Sequence, residues 1–410
     1  MNNQHRNIWL STLLGFFLGA CVSNPRTDSN HTFRVHEEDG VSIAETFGGP
    51  RFTDEIFSYV VACTLREDPD YEESLLFRPT SQYWTNGEQF FLADRGTNRI
   101  AVYDATGNYS HSFGRGGSGP GEFVSLSIQS LNDDVLSIWD TSMGRTTLYG
   151  TDGQLIDVLT APLGNKLDGY EVDSRGNQYC KYSVMNYEIG LEYQGQGVTV
   201  LAADGDTLAE IQTPDVKTLY IYRYGTRATG SRLPYGGMPE IELTTDFQIV
   251  SSTGVQPLLH FFNPTGELIR IIQLDIKPET VTPQMQQRIE SILRSRIDEA
   301  GTEINRARAI AQKEALVIPD EKAYWAEIFL DSDNYVWLRH PVNLLDRENI
   351  VERYRVLSPE GEYLGDTTSP ARYGLVMHGL FLSNVVEDRT GLRSYVVYRI
   401  QSAIEGWEYP

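Results

Sequence analysis

Five times along the chain an apolar strand runs into a tight turn closed by glycine and continues as a second strand. No other feature constrains the fold as much. The copies are RIAVYDATGNYSHSF from Arg99, RTTLYGTDGQLIDVL from Arg145, VTVLAADGDTLAEI from Val198, PLLHFFNPTGELIRII from Pro257 and ERYRVLSPEGEYLGDT from Glu352. Their turn glycines are Gly107, Gly153, Gly205, Gly266 and Gly361, and the first intervals are close to the roughly 40–50 residues of a four-stranded propeller blade. A lone hairpin of this kind cannot bury its own apolar face, so the copies must stack on one another. Glycine is required at the turn because a tight hairpin demands a positive φ that a β-carbon penalises.

Six units, the five with a copy and one more, also carry a preceding short strand, rich in β-branched or aromatic residues and bounded by Asp, Asn and Gly. These strands are QFFLADR from Gln89, DVLSIWD from Asp134, NQYCKY from Asn177, FQIVSS from Phe247, NYVWLR from Asn334 and GLFLSNVVED from Gly379. The sixth unit has no turn copy, because SYVVYRI from Ser394 nearly ends the chain. Its outermost strand is expected from the other end, from IFSYVVACTL between Ile56 and Leu65. That pairing would seal a ring that otherwise leaves sheet edges and faces open.

The first twenty-one residues read as a targeting segment: Arg6, a short apolar run from Ile8 to Phe17, then Leu18-Gly19-Ala20-Cys21. The run is too short for a membrane helix of about 20 apolar residues. The small residues before Cys21 resemble a bacterial lipobox, and the resemblance implies lipidation of the Cys21 thiol, with several acyl chains giving durable anchoring. Val22 and Ser23 follow without an aspartate at the second mature position, and resemblance to the enterobacterial sorting pattern implies the outer membrane. Residues 22–41 are polar and are expected to be a flexible tether, with one propeller domain over 42–410. Cys63 and Cys180 lie in apolar strand-like surroundings with nothing nearby at metal-ligand spacing; free buried thiols are expected, the alternative being a bridge between the two in an oxidising compartment.

Two segments interrupt the strand pattern. From Thr282 to about residue 316, a capping threonine, Pro283 and an apolar stripe (Ile289, Ile292, Leu293, Ile297, Ala300, Ile304, Ala307, Ala311) predict a helix or a helical hairpin turning near Gly301. The loop from Val216 to Gly237 gathers Tyr220, Tyr222, Arg223, Tyr224, Arg227 and Arg232. Aromatic residues with arginine are the composition of contact surfaces, and this loop is the candidate binding face.

The run DRGTNRIAVYDATGNYSHSFGRGGSGPGEF resembles an NHL repeat. Asp94, Asn98, Arg99, Ile100, Gly107, Phe113, Gly114 and the segment Gly119-Pro120-Gly121-Glu122-Phe123 match that pattern. The later units keep the hairpin and depart from the Asn-Arg and Gly-Pro-Gly-Glu-Phe elements. The resemblance implies an all-β, six-bladed, NHL-like β-propeller lipoprotein of the bacterial cell envelope, with one helical insertion near 282–316.

Function is less constrained. A formal net charge of −22 repels phosphate backbones and argues against nucleic-acid binding. No catalytic residue and no G-x-S-x-G elbow, P-loop or dinucleotide fingerprint is found. The expectation is a lipid-anchored platform, without a cofactor, that binds a protein, peptide or glycan partner. The alternatives are a structural subunit of an envelope complex, or a calcium- or zinc-dependent hydrolase or lyase at the central channel, as implied by resemblance to related six-bladed propellers. Asp94 and Asp140 occupy equivalent places, where an aspartate accepts backbone hydrogen bonds in a turn. Arg99 and Arg145 are expected to pair with those carboxylates as struts.

Overall fold

The computed structural model describes residues 30–409 except 69–70, 133, 163–166, 187, 189, 347–350, 371–374, 378 and 388–391. Among the described residues the strands form six four-stranded antiparallel blades, and the chain is a six-bladed β-propeller. Blade 1 comprises Pro79–Thr85, Gln89–Asp94, Arg99–Asp104 and Tyr109–Phe113, taken from the channel outwards. Blade 2 comprises Leu126–Asn132, Val135–Asp140, Arg145–Gly150 and Leu155–Thr160. Blade 3 is Gly169–Val172, Gln178–Met185, Tyr193–Leu201 and Thr207–Gln212. Blade 4 is Glu240–Leu243, Ile249–Ser252, Leu258–Phe262 and Leu268–Leu274. Blade 5 is Glu327–Leu330, Val336–Arg339, Arg353–Leu357 and Tyr363–Thr368. Blade 6 takes Leu375–Met377, Leu380–Glu387 and Arg393–Ser402 from the end of the chain and Phe57–Arg66 from its beginning.

That last pairing is the closure expected from the sequence. Tyr59 lies opposite Ile400 and Leu65 opposite Tyr395 in an antiparallel ladder. The second strand of each blade explains why the ring holds together. Phe90 and Leu92 point into the seam with blade 6, beside Leu65, Tyr395 and Val397. Phe91 and Ala93, one residue out of phase, point into the seam with blade 2, beside Leu126, Ile128, Leu136 and Ile138. Alternation with a period of two on a strand buried on both faces therefore demands a continuous apolar run, which is what QFFLAD supplies. Hydrophobic clusters fill the other four seams in the same way.

The five turn glycines adopt φ between +80° and +100°. In each turn the glycine N–H donates to the carbonyl three residues earlier at 2.9 Å, from Gly107 to Asp104 through to Gly361 to Ser358. Each hairpin also slips register by one residue at the turn, the signature of a glycine bulge. The glycines serve packing as well as conformation. A β-carbon on Gly107 would stand 2.4 Å from the Thr64 carbonyl oxygen of blade 6, and one on Gly361 would stand 2.7 Å from Ile272 of blade 4.

Two expectations are corrected. The tether predicted for residues 22–41 ends sooner: 22–29 lie outside the described residues, but Thr32–Glu38 is a strand, antiparallel to Val41–Phe47. Val41–Phe47 in turn pairs in parallel with Leu268–Leu274 on the rim of blade 4. The strand was hidden because it is exposed along nearly its whole length and so carries no apolar alternation. The chain then runs along the rim of blade 5, where Arg51 and Phe52 donate to the Tyr363 and Leu364 carbonyls, before entering blade 6. The signal segment 1–21, with Cys21, also lies outside the described residues.

Arg99 and Arg145 do not pair with Asp94 and Asp140. Asp94 accepts from the N–H groups of Phe77, Arg78 and Gly96 and from the Thr97 hydroxyl. Asp140 accepts from the N–H groups of Val124, Ser125, Ser142 and Met143. Arg99 donates to the Leu75 carbonyl, and Arg145 donates to those of Ser118, Gly119 and Glu122. The aspartate takes the donors and the arginine the acceptors of the segment entering its own blade, so backbone groups that no ladder satisfies are paired. Cys63 and Cys180 are free, and they sit at different seams. Burial pushes each thiol up to about 11.

Candidate binding face at the channel mouth

In an up-and-down blade, the connection from outermost strand to the next inner strand and the loop between strands two and three fall at the same end of the ring. Both insertions belong to such connections, so they rise on one face around one mouth of the channel. Between blades 3 and 4 the hairpin Leu219–Tyr224 and Arg227–Arg232 projects. Between blades 4 and 5 stand α1 (Pro283–Asp298) and α2 (Glu303–Glu314). Each helix is capped by a threonine hydroxyl, Thr282 accepting from Met285 N–H and Thr302 from Asn305 N–H. Gly301 lies in the turn between them, as the sequence indicated.

The two insertions join into one cap. Tyr235, Val281, Ile289, Leu293 and Leu345 form a small core of their own, separate from the six seams. The Gln312 amide donates to the Tyr220 hydroxyl at 3.1 Å and to the Ser231 hydroxyl at 2.9 Å. Arg288 of α1 holds Asp346, on the loop beyond the second strand of blade 5, by two bonds of 2.7 and 3.0 Å. Ile304, which the helical stripe placed inward, is 49% exposed.

This geometry divides the candidate binding residues. Tyr220 and Tyr222 are buried beneath α2 and present no contact surface, since the helix covers them. Arg223 and Arg227 are exposed, and Tyr224 is half-buried, stacked on Tyr222. Arg232 turns back to the channel rim and pairs with Glu327 at 3.0 Å. The sequence located the segment but could not show which of its faces another element would cover.

Below the cap lies a charged cluster that the sequence analysis missed. The inner strands of blades 3, 4 and 5 carry Glu171, Glu240, Glu242 and Glu327. Lys181, on the second strand of blade 3, lies opposite Gly169 and reaches Glu242 across the blade seam at 3.2 Å. Burial pushes the Glu171 carboxyl up to about 7; Lys181 opposes that shift, Glu242 adds to it and the Ser130 hydroxyl opposes it. Burial, with Glu327 alongside, raises Glu240 well above the usual carboxylate range. Glu240 accepts from the Ile328 N–H of blade 5. Arg339 donates to Glu327 at 2.7 Å and to Glu352 at 3.3 Å. Only Arg339 and Glu352 are fully buried, the other members being half-buried; charge withdrawn from water is costly unless paired, and such clusters concentrate at functional sites. The visible signal was glutamate inside strand-like EIEL and GYEV, but its meaning depended on three blades meeting.

Among the described residues, no three His, Cys, Asp or Glu side chains are grouped so as to hold a metal ion. Also among those residues, no helix is long and apolar enough to cross a membrane.

A family model described as a 6-bladed β-propeller, DUF5128, matches residues 72–215, which span blades 1 to 3. Those blades include the unit with the fullest repeat signature. Among solved structures, the chain is similar to a putative exported protein from Bacteroides fragilis at 10% identity, covering 84% of this chain and 96% of that one, with a TM-score of 0.48. A member of the DUF4221 family from Bacteroides vulgatus is similar at 11% identity, covering 85% and 99%, with a TM-score of 0.44. Virginiamycin B lyase from Staphylococcus aureus is similar at 10% identity, covering 86% and 90%, with a TM-score of 0.35. No curated protein matches the sequence.

Proposed function

We propose that the chain is a lipid-anchored envelope protein whose propeller presents the cap-bearing mouth to a peptide, protein or glycan partner. The observation that carries this reading is the convergence of both insertions on one end of the channel, where they form a single cap with its own core. A rigid scaffold bearing loops at one end is the usual layout of a binding platform. The exposed Arg223 and Arg227 on the cap supply contact groups in an otherwise acidic chain.

Peptide and glycan arrays probed with residues 22–410, followed by hydrogen-exchange footprinting of the best binder, test the platform. Protection is expected over 216–239 and 282–346, and Arg223→Glu with Arg227→Glu should weaken binding about tenfold or more. Protection confined to the turn glycines at the opposite end would overturn the reading. Anchoring rests on the Leu18-Gly19-Ala20-Cys21 segment. Cys21→Ser is expected to move the protein from the membrane to the soluble fraction of fractionated cells, since the acyl chains provide the attachment. Retention of the variant on the membrane would contradict it.

A further inference from the structure

Where the cap meets blade 5, a small cleft opens at the channel rim, lined by Arg232, Leu233, Met238, Glu327, Arg339 and Val342 among others. Two guanidiniums converge there on one oxygen: Arg232 Nη1 lies 3.0 Å and Arg339 Nη2 2.7 Å from Glu327 Oε1. The Arg339 side chain is only 5% exposed, and its Nε–H has no partner among the described residues. Glu327 itself is 31% exposed, so its carboxylate borders solvent.

We infer that Arg232 and Arg339 form a carboxylate-binding site in which Glu327 is the resident occupant, displaced by a ligand carboxylate borne next to a small aliphatic group. Guanidinium pairs match carboxylates through charge-assisted hydrogen bonds. When Glu327 swings out and a ligand enters, one carboxylate replaces another, and the charge in the cleft does not change. Arg339 keeps Glu352 as its second partner throughout. Because that exchange is nearly balanced, net affinity comes from apolar contact with Leu233, Met238 and Val342. The aliphatic lining favours a C-terminal aliphatic residue of a peptide or a free short-chain acid over a hydroxyl-rich sugar. The inference rests on the cap-bearing mouth being the binding face.

Calorimetric titration tests it with three probes: N-acetyl-alanyl-valine, its C-terminal amide, and isovalerate. The proteins are the wild type, Arg232→Gln and Glu327→Gln, each checked for an unchanged unfolding midpoint. A free acid should bind at least tenfold more tightly than the amide. Arg232→Gln should weaken it about tenfold, while Glu327→Gln, which removes the competitor, should tighten it about threefold or more. Preference for the dipeptide acid identifies a peptide terminus as the source, and preference for isovalerate a small acid. Equal binding of acid and amide, indifference to Arg232→Gln, or no binding of any probe to Glu327→Gln would overturn the inference. An array ligand that footprints on the mouth while no probe distinguishes acid from amide would sink this site and leave the platform reading standing.

Discussion

Gly107→Val is expected to destabilise the protein by about 4 kcal/mol in denaturant unfolding, from two additive causes. Holding a β-branched residue at φ +89° costs about 1–3 kcal/mol, and forcing a side chain into a filled contact costs about 1–3 kcal/mol more. The filled contact is specific: the new β-carbon would meet the Thr64 carbonyl, part of the strand that closes the ring. Gly205→Val provides the comparison. Gly205 has a similar φ of +94° but open space around its β-carbon position, so only the conformational cost of about 1–3 kcal/mol should appear. Equal losses at the two positions would contradict the account of blade-to-blade contact.

Glu171→Gln is expected to stabilise the protein by about 2–3 kcal/mol at pH 8 and to change little at pH 4. Burial raises the folded-state carboxyl from 4.5 to about 7, so between those values the folded protein binds a proton that the unfolded chain has released. Wild-type stability should therefore fall as pH rises from about 4.5 through about 7, and level off above that. Glutamine removes the titration and flattens the slope, while Lys181 keeps Glu242 as its partner. Unfolding midpoints of both proteins across pH 4 to 8 check this. A wild-type curve no steeper than that of the variant would show that the Glu171 carboxyl is not withdrawn from water at the channel.

What the sequence disclosed follows from where the apolar pattern is complete. The second strands and the glycine hairpins are buried on both sides or fixed by a positive φ, so QFFLAD and the Asp104-to-Gly107 turn could be read directly. Strand Phe57–Arg66 was legible from its apolar composition alone, since half of it is exposed and only Phe57 and Leu65, near its two ends, are buried. Inner strands such as Gly169–Val172 and Glu240–Leu243 are short and turn glutamates to the channel, which breaks the alternation. Thr32–Glu38 fails on the other side, being an exposed edge. Site residues were harder still. Tyr220 and Tyr222 looked like contact residues until α2, contributed from some ninety positions later by Arg308 and Gln312, was seen to cover them. Glu171 and Lys181 come from blade 3, Glu242 from blade 4 and Glu327 from blade 5, and only the stacking of those three blades brings them to one mouth.

Closure is also the claim most open to direct measurement. Cys63 lies opposite Val397 in the ladder joining the beginning and end of the propeller. Directly opposed antiparallel residues have Cα atoms about 4.5–5.5 Å apart, within disulfide reach. Val397→Cys, combined with Cys180→Ser and refolded in a glutathione redox buffer, should form a disulfide to Cys63, detected by mass spectrometry of the folded protein. Free thiols at both positions in a protein with native circular dichroism would contradict a ring closed by its own two ends.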